Sequence, residues 1–566
     1  MANVDIQYLY KENNIKSVMI NGYLLHSKYN PEKEVLNFLE RGIQKDALNI
    51  IFGYGLGYSV GALKELQIDK EKILFIDPIE AFSKFNENNF DVIFTTDLKF
   101  INECIQKKVS YYSKNINIIC APNYDKIFPQ LFKDILKEIK DIQNLNIIYF
   151  NTTHKLGTLW QENSLRNMLY IYESNSLNML RKYYNKPVIV ASGGPSLTKQ
   201  LNLLLEIRES IILVAAGSTV GSLLEANIEP DYIVTIDGSE INFTRHFKDI
   251  KLTKASLIFS ATSRFNIQKE FKRNKFAFVE PKENNYQKYI NNLFNINLPI
   301  IQGGGSVANF SLSIARYISS GPIALIGQDL AYTGNKTHAD NNKNAQIIDE
   351  NYLKENDAFE VDGFFGDKVV TDYPFYSMKT SFEQIMLDIE GKDKIFNCTE
   401  GGVKIQGMQQ LSFNQFIETF VNTKDTIELI SLQTKNRDYN KYVNILRNEL
   451  INYSKIVDQY KIALKALEKN RTKTFFTDAT LTKLDNVDKK VEVLKSNVMM
   501  DRIIDPITLD IMTKYKATGE ETALQKYKRV YQQNVDLYTR LLDATKTTMG
   551  YVQDSLEEAK ESGGLL

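Results

Sequence analysis

The sequence predicts an α/β protein with two Rossmann-like parallel-sheet domains followed by an all-helical C-terminal domain. Three observations carry this. Short apolar runs of strand length alternate with helical stretches from about residue 46 to 151; the alternation resumes from 187 to about 410; and beyond Leu411 the strand-like runs stop while apolar residues recur at helical spacing. A chain of 566 residues is too long for a single core. The patterns place the domains at 1–155, 156–410 and 411–566.

In the first domain the runs LNIIFGYG, ILFIDP, DVIFTTD, INIICAP and LNIIYF read as strands. Gly53, Gly55 and Gly57 follow the first of them, and Asp77 closes the second. A glycine loop and an acid at this separation resemble the cofactor site of Rossmann-like methyltransferases, where the acid holds ribose hydroxyls. The same residues also suit a purely structural turn.

The second domain opens on helical segments from about Leu156 to Asn178, with Leu165, Leu169 and Leu177 on repeating faces. Strand-like runs follow in VIVASGG, IILVAAG, YIVTID, SLIFSAT, FAFVE and IALIGQD. Their ends carry polar or glycine signatures. KPVIVASGGPSL stops in Gly193, Gly194, Pro195 and Ser196 and opens a helix, an arrangement that aims backbone N–H groups at an anion. Gly217, Ser218 and Thr219 end the next run; Asp237 ends YIVTID; Gly303, Gly304, Gly305 and Ser306 open the helix SVANFSLSIARYI; Gln328 and Asp329 end IALIGQD. Ligands of open parallel sheets bind beyond the carboxyl ends of the strands, so these residues are expected to converge on a nucleotide or nucleotide-sugar pocket. Taken singly, the acids could equally cap helices and the glycines could serve close packing.

The third domain shows helical stripes through Leu446, Leu450, Tyr453, Val457, Tyr460, Leu464 and Leu467, then Leu484 to Val498, then Leu524 to Val552. They read as an internal core, and a long helical hairpin also offers a docking surface.

Composition excludes several classes. The 69 basic and 69 acidic residues cancel, so there is no electrostatic footprint for nucleic acid or an anionic membrane. Cys104, Cys120 and Cys398 have neither disulfide nor metal-ligand spacing. No run approaches the length that spans a bilayer, and the first residues lack the regions of a signal peptide; the expected location is cytoplasmic.

The segments VIVASGGPSL, VAAGST, PDYIVTIDGSE, QGGGSVANFSLSIA and ALIGQDLAYTGNKTHA, followed by Glu400-Gly401-Gly402, resemble the central domain of motility accessory factors over roughly residues 187–407. The resemblance implies a flagellin glycosyltransferase of the bacterial flagellum. It would move a nonulosonic acid, of the pseudaminic or legionaminic type, from its CMP-activated form to Ser or Thr hydroxyls. Flagellin would be the protein partner, engaged through the helical domain, with the CMP sugar as donor substrate and no firmly implied cofactor or metal. The central domain also resembles bacterial CMP-sialic acid-dependent sialyltransferases, in whose GNGPSL turn an asparagine stands where this chain has Gly193. That amide contact must be absent here or supplied from elsewhere.

Transfer from a CMP sugar passes through an oxocarbenium-like state with charge growing on the leaving phosphate, so the site needs donors at that phosphate and a base for the acceptor hydroxyl. Gly194, Ser196, Gly304, Gly305 and Ser306 are candidate donors. Tyr332 stands near the position of the phosphate-contacting tyrosine of the sialyltransferases, one residue out of register. Ser218, Thr219 and Asp237 are candidates for ribose, base or sugar hydroxyls, and Asp329 for orienting the acceptor or acting as base. Among the four histidines, His338 in the turn GNKTHAD is either a general base with a suitable pKa or a solvated loop residue. His246, with Arg245 beside it as a carboxylate partner, is either a second candidate or half of a helix-surface pair. Glu400 either closes the pocket or sits in a turn. Two other classes stand beside this reading. One is a pterin pyrophosphokinase in which GGPSL binds ATP and Asp237 with Asp329 holds magnesium; the other is a non-catalytic factor that binds flagellin through the helices.

Overall fold

The structure, a computed structural model, describes residues 4–11, 14–45, 47–86, 90–109, 116–281, 284–432, 437–517 and 521–564. It divides into two compact units, Met1–Lys155 and Leu156–Leu566. The first carries an antiparallel sheet of β1 (Ile6–Lys11), β2 (Asn14–Ile20) and β3 (Tyr23–Leu24), which the sequence pattern did not announce. Its parallel sheet is formed by β4 (Leu48–Phe52), β5 (Ile73–Asp77), β6 (Val92–Phe94) and β7 (Ile116–Cys120), in the order β6-β5-β4-β7.

One expectation is corrected here. LNIIYF, residues 145–150, is not a strand but lies within the helix Pro129–Glu173. A short apolar run with no glycine or proline to break it is compatible with either state, and the flanking helical sequence carries through it.

The second unit holds nine parallel strands in the order β18-β17-β14-β9-β10-β11-β12-β13-β8. These are β8 (Asn175–Ser176), β9 (Val188–Ala191), β10 (Ile212–Ala216), β11 (Tyr232–Thr235), β12 (Ser256–Ser260), β13 (Lys275–Phe278), β14 (Ile323–Ile326), β17 (Ile395–Asn397) and β18 (Gln409–Gln410). A two-stranded insert, β15 (Phe359–Asp362) with β16 (Lys368–Thr371), lies between β14 and β17 in the chain. Strand alternation divides the apolar residues between two cores: Val188 and Val190 face one, Ile189 and Ala191 the other. The first is covered by helices Val307–Ile318 and Tyr373–Asp388.

The other core is continuous with the helical segment, where Tyr442, Leu446, Tyr453 and Tyr460 of helix Tyr439–Asn470 and Leu542, Val552 and Leu556 of helix Ala523–Ser562 are buried. Glu558 of the last helix receives Arg166 (3.0 Å), the Tyr170 hydroxyl (2.6 Å) and Lys269 (2.8 Å), so the helical segment is tied to the sheet region by charge as well as by apolar burial. No described helix is long and apolar enough to cross a membrane.

Topology locates the place for a ligand. From β9 the chain winds outward through β13, then returns by helix Val307–Ile318 to lay β14 on the opposite side of β9. Connections leave β9 and β14 in opposite directions, which opens a crevice at their carboxyl ends. The first unit has the same reversal between β4 and β7, and there it is filled from within. Asp77 accepts from Tyr54 N (2.8 Å), Gly55 N (2.9 Å), Ile79 N (2.8 Å) and the Tyr124 hydroxyl (2.6 Å). A Cβ at Gly53 would lie 2.5 Å from the Tyr124 ring, and the His26 ring packs on Gly55. The cavity left there is about 20 Å³, room for about one water. The loop amides that would cradle a phosphate are therefore spent on the protein's own acid. Gly53 to Gly57 and Asp77 fit the structural reading of this loop.

His26 gives this plug a pH dependence. Its Nε2 accepts from Leu56 N at 3.1 Å, which requires the neutral ring, and burial lowers its pKa to about 4. The unfolded chain thus takes up a proton near pH 6.5 that the folded chain refuses until about pH 4, so stability falls as the pH drops through this window. Between pH 7 and pH 5 the first unit is expected to lose about 2 kcal/mol, measured by denaturant titration, and His26→Gln is expected to flatten that dependence.

Candidate functional site

The turn after β9 is held by one carboxylate. Asp329, three residues past β14 and 1% exposed, accepts from Ser196 Oγ at 2.6 Å and Ser196 N at 3.1 Å. Gly194 N donates to Gly327 O at 2.8 Å, and a Cβ at 194 would collide with the Asp329 carboxyl. Burial pushes the Asp329 carboxyl above its ordinary value, and the hydroxyl and N–H of Ser196 pull it back. Gly401 and Gly402 press on this pair from above: a side chain at 401 would strike Ser196 Oγ, and one at 402, where φ is +66°, would strike the Asp329 backbone. Ser192 Oγ donates to Gln328 Oε1 (2.6 Å), tying the same two strand ends once more.

This geometry corrects several expectations. Asp329 is a clamp that shapes the turn; both of its oxygens are committed and sealed, so it does not stand open as an acceptor base. Ser196 is spent on the same carboxylate, and Gln328 Oε1 accepts from Ser192. Tyr332 is buried and its hydroxyl donates to Asp372 at 2.6 Å, among Tyr352 and Phe375. Glu400 accepts from Phe413 N at 3.0 Å at the start of helix Phe413–Phe420, a capping role. Asp237 is exposed and accepts from Ser239 N at 2.8 Å; it forms no pair with Asp329.

Polar groups converge on the other side of the turn, at Gly193. A Cβ at Gly193 would lie 2.7 Å from Asn342 Nδ2, 3.4 Å from Thr219 Oγ1 and 3.7 Å from the His338 ring. Thr219 is 0% exposed, yet its Oγ1 has no hydrogen-bond partner among the described residues; the half-buried His338 ring lies beside it and leans on the Asn344 backbone. Buried polar atoms are nearly always paired, so an unmatched hydroxyl beside a glycine turn makes this edge the candidate place for a bound polar group. Burial lowers the His338 pKa, which keeps the ring neutral at neutral pH. Ser218 is partly exposed at the same edge, and Gly217 must lack a side chain because the Phe247 ring would lie 2.5 Å from it.

The helix Val307–Ile318 starts at this edge and returns toward the start of β14. Ser306 caps it, accepting from Asn309 N at 3.3 Å, and Gly305 faces open space, so its first N–H groups are available to an anion. Gly303 and Gly304 are packing glycines, set against Phe310 and Ser381. Arg245 and His246 approach from the far rim through Asn344, at 3.2 and 3.4 Å, and burial, then Lys343 and Arg245, lower the His246 pKa.

Two features escaped the sequence. Asn342 has no motif to mark it. Asn163 and Asn167 of helix Pro129–Glu173 cover the ends of β11 and β12, donating to Gly238 O and Thr262 O (both 3.0 Å) and to Ala261 O (2.9 Å) and Ser263 O (2.7 Å). Their spacing of four residues puts them on one helix face, a signal that is visible only once the helix is known to lie over the strands. These caps leave the ends of β9, β10 and β14 as the open part of the edge.

Replacing the clamp with Asp329→Ala strands the Ser196 N–H and hydroxyl in the interior and is expected to cost about 3 kcal/mol of unfolding free energy. Gly401→Ala is expected to destabilise through the same pair. Unchanged denaturation midpoints in both variants would contradict the clamp.

Comparison with known proteins enters at this point. Residues 162–335 match the family described as 6-hydroxymethylpterin diphosphokinase MptE-like. No curated protein sequence matches the chain. Among solved structures, the MAf glycosyltransferase from Magnetospirillum magneticum AMB-1 is similar with a TM-score of 0.55 and 15% sequence identity, over 98% of this chain and 90% of that one. The chain thus shares the fold of that glycosyltransferase along nearly its whole length.

Proposed function

We propose that this chain is a glycosyltransferase that moves a nonulosonic acid, of the pseudaminic or legionaminic type, from its CMP-activated form to Ser or Thr hydroxyls of flagellin. The observation that carries the reading is the unpartnered buried hydroxyl of Thr219, with the His338 ring near it, beside the Gly193 turn at the switch point of the larger sheet. The fold shared with a glycosyltransferase supports it.

In this mechanism the bond between the anomeric carbon and the phosphate oxygen breaks, and CMP leaves with the electron pair. The acceptor oxygen bonds to the anomeric carbon and gives its proton to His338, whose lowered pKa supplies the neutral ring that a base requires. The Thr219 hydroxyl and the N–H groups that open helix Val307–Ile318 face the growing negative charge. Flagellin engages the helical segment.

The diphosphokinase reading needs Asp237 and Asp329 as an open magnesium pair. The residues do not fit that role, since Asp329 is closed on Ser196 and Asp237 lies on the surface.

CMP and CDP are expected to raise the melting temperature more than ATP, GTP or S-adenosylmethionine at equal concentration. His338→Gln is expected to lower transfer by about a hundredfold, read as the mass of co-expressed flagellin, while the CMP-induced shift remains. A preference for ATP, or an undiminished sugar mass shift in His338→Gln, would contradict the proposal.

A further inference from the structure

Gly193 is glycine for reasons of space. Its φ lies outside the left-handed region, so the backbone there accepts any residue. What bars a side chain is the amide of Asn342, delivered from the loop that follows β14. That loop is fastened at three points: Ala339 N donates to Gly193 O in the turn (2.9 Å), Asp340 N to Thr198 Oγ1 in the helix that follows it (3.0 Å), and Asn342 Nδ2 to Ser218 O beyond β10 (3.1 Å). Asn342 Oδ1 accepts from Asn344 N at 2.9 Å, so the network itself fixes the amide with its nitrogen toward the turn. Asn342 is 6% exposed. An NH₂ group has two hydrogens; Ser218 O takes one, and the other is left for the space beside Gly193 that Thr219 Oγ1 and the edge of the His338 ring also border.

We propose that Asn342 is the specificity-determining residue of this site, its amide standing where a side chain at position 193 would reach and donating to the phosphate and ribose end of a bound nucleoside monophosphate. The inference rests on the proposed nucleotide-sugar reading and names the ligand class more narrowly. The groups nearest Gly193 are an amide, a hydroxyl and a neutral imidazole, and the cations Arg245 and Lys343 stand back at the far rim. Neutral donors suit the single charge of a phosphodiester, as in a nucleotide sugar, better than the charge of a triphosphate.

The test is an exchange of the two positions, read by calorimetric titration of the full chain with CMP. Asn342→Gly is expected to weaken CMP binding about tenfold or more by removing the donor. Gly193→Asn is expected to do the same, because its side chain meets the resident amide. The double variant, Gly193→Asn with Asn342→Gly, is expected to return to within about threefold of wild type. Where the glycine variant loses its fold, Asn342→Ser keeps an oxygen to accept from Asn344 N within the loop but withdraws the amide from the turn, and gives the same loss. If the wild-type chain binds CMP and folded Asn342→Gly or Asn342→Ser binds it equally well, the inference falls and the glycosyltransferase reading stands. A double variant that folds but binds as weakly as either single variant also overturns it. A wild-type chain that ignores CMP overturns both.

Discussion

The Asp329 carboxylate organises the larger unit's ligand edge. It sits beyond the end of β14 but holds the turn beyond β9, so it joins the two strands on either side of the switch point. Desolvating a carboxylate is costly, and the cost is offset only if its oxygens are satisfied. Ser196 supplies a hydroxyl and an N–H; Gly194, Gly401 and Gly402 are glycines because the clamp leaves no room for side chains. With Ser196 and Gly194 consumed in this way, Gly193 is left on the other side of the turn. The loop 339–345 is then fastened onto that glycine by Ala339, and His338 and Thr219, whose hydroxyl is unmatched among the described residues, are brought beside it.

The two units use one architectural device to opposite ends. Each has a parallel sheet whose order reverses, with a glycine turn at the reversal and an aspartate at a neighbouring strand end. In the first unit the aspartate takes the turn's own N–H groups, and Tyr124 and His26 fill the space, leaving about 20 Å³. In the second unit the aspartate takes Ser196 of the turn, and the outer face at Gly193 is lined by polar groups, Asn342, Thr219 and His338.

Much of the fold was legible because its signals are local. Buried parallel strands read as apolar runs ended by glycine or aspartate, and the helical segment reads from its 3.6-residue stripes. The run at 145–150 was misread because a short apolar stretch lacks a period of its own. The site was legible only in outline. Gly193, Thr219 and His338 lie at strand ends or in the loop after one, and the crevice rule points there. The roles of Asp329, Tyr332 and Glu400 were not visible, since a carboxylate or phenol at a strand end looks the same in sequence whether it faces a ligand or Ser196, Asp372 or Phe413 N. Asn342 was missed because its position relative to Gly193 is set by a loop, and loops leave no periodic trace.

Hydrogen–deuterium exchange with and without CMP tests the central claim most directly. The account predicts added protection at the amides of residues 193–196, 217–219 and 337–345, and none at 53–57. Protection confined to 53–57, or no change at the switch point of the larger sheet under saturating CMP, would contradict it.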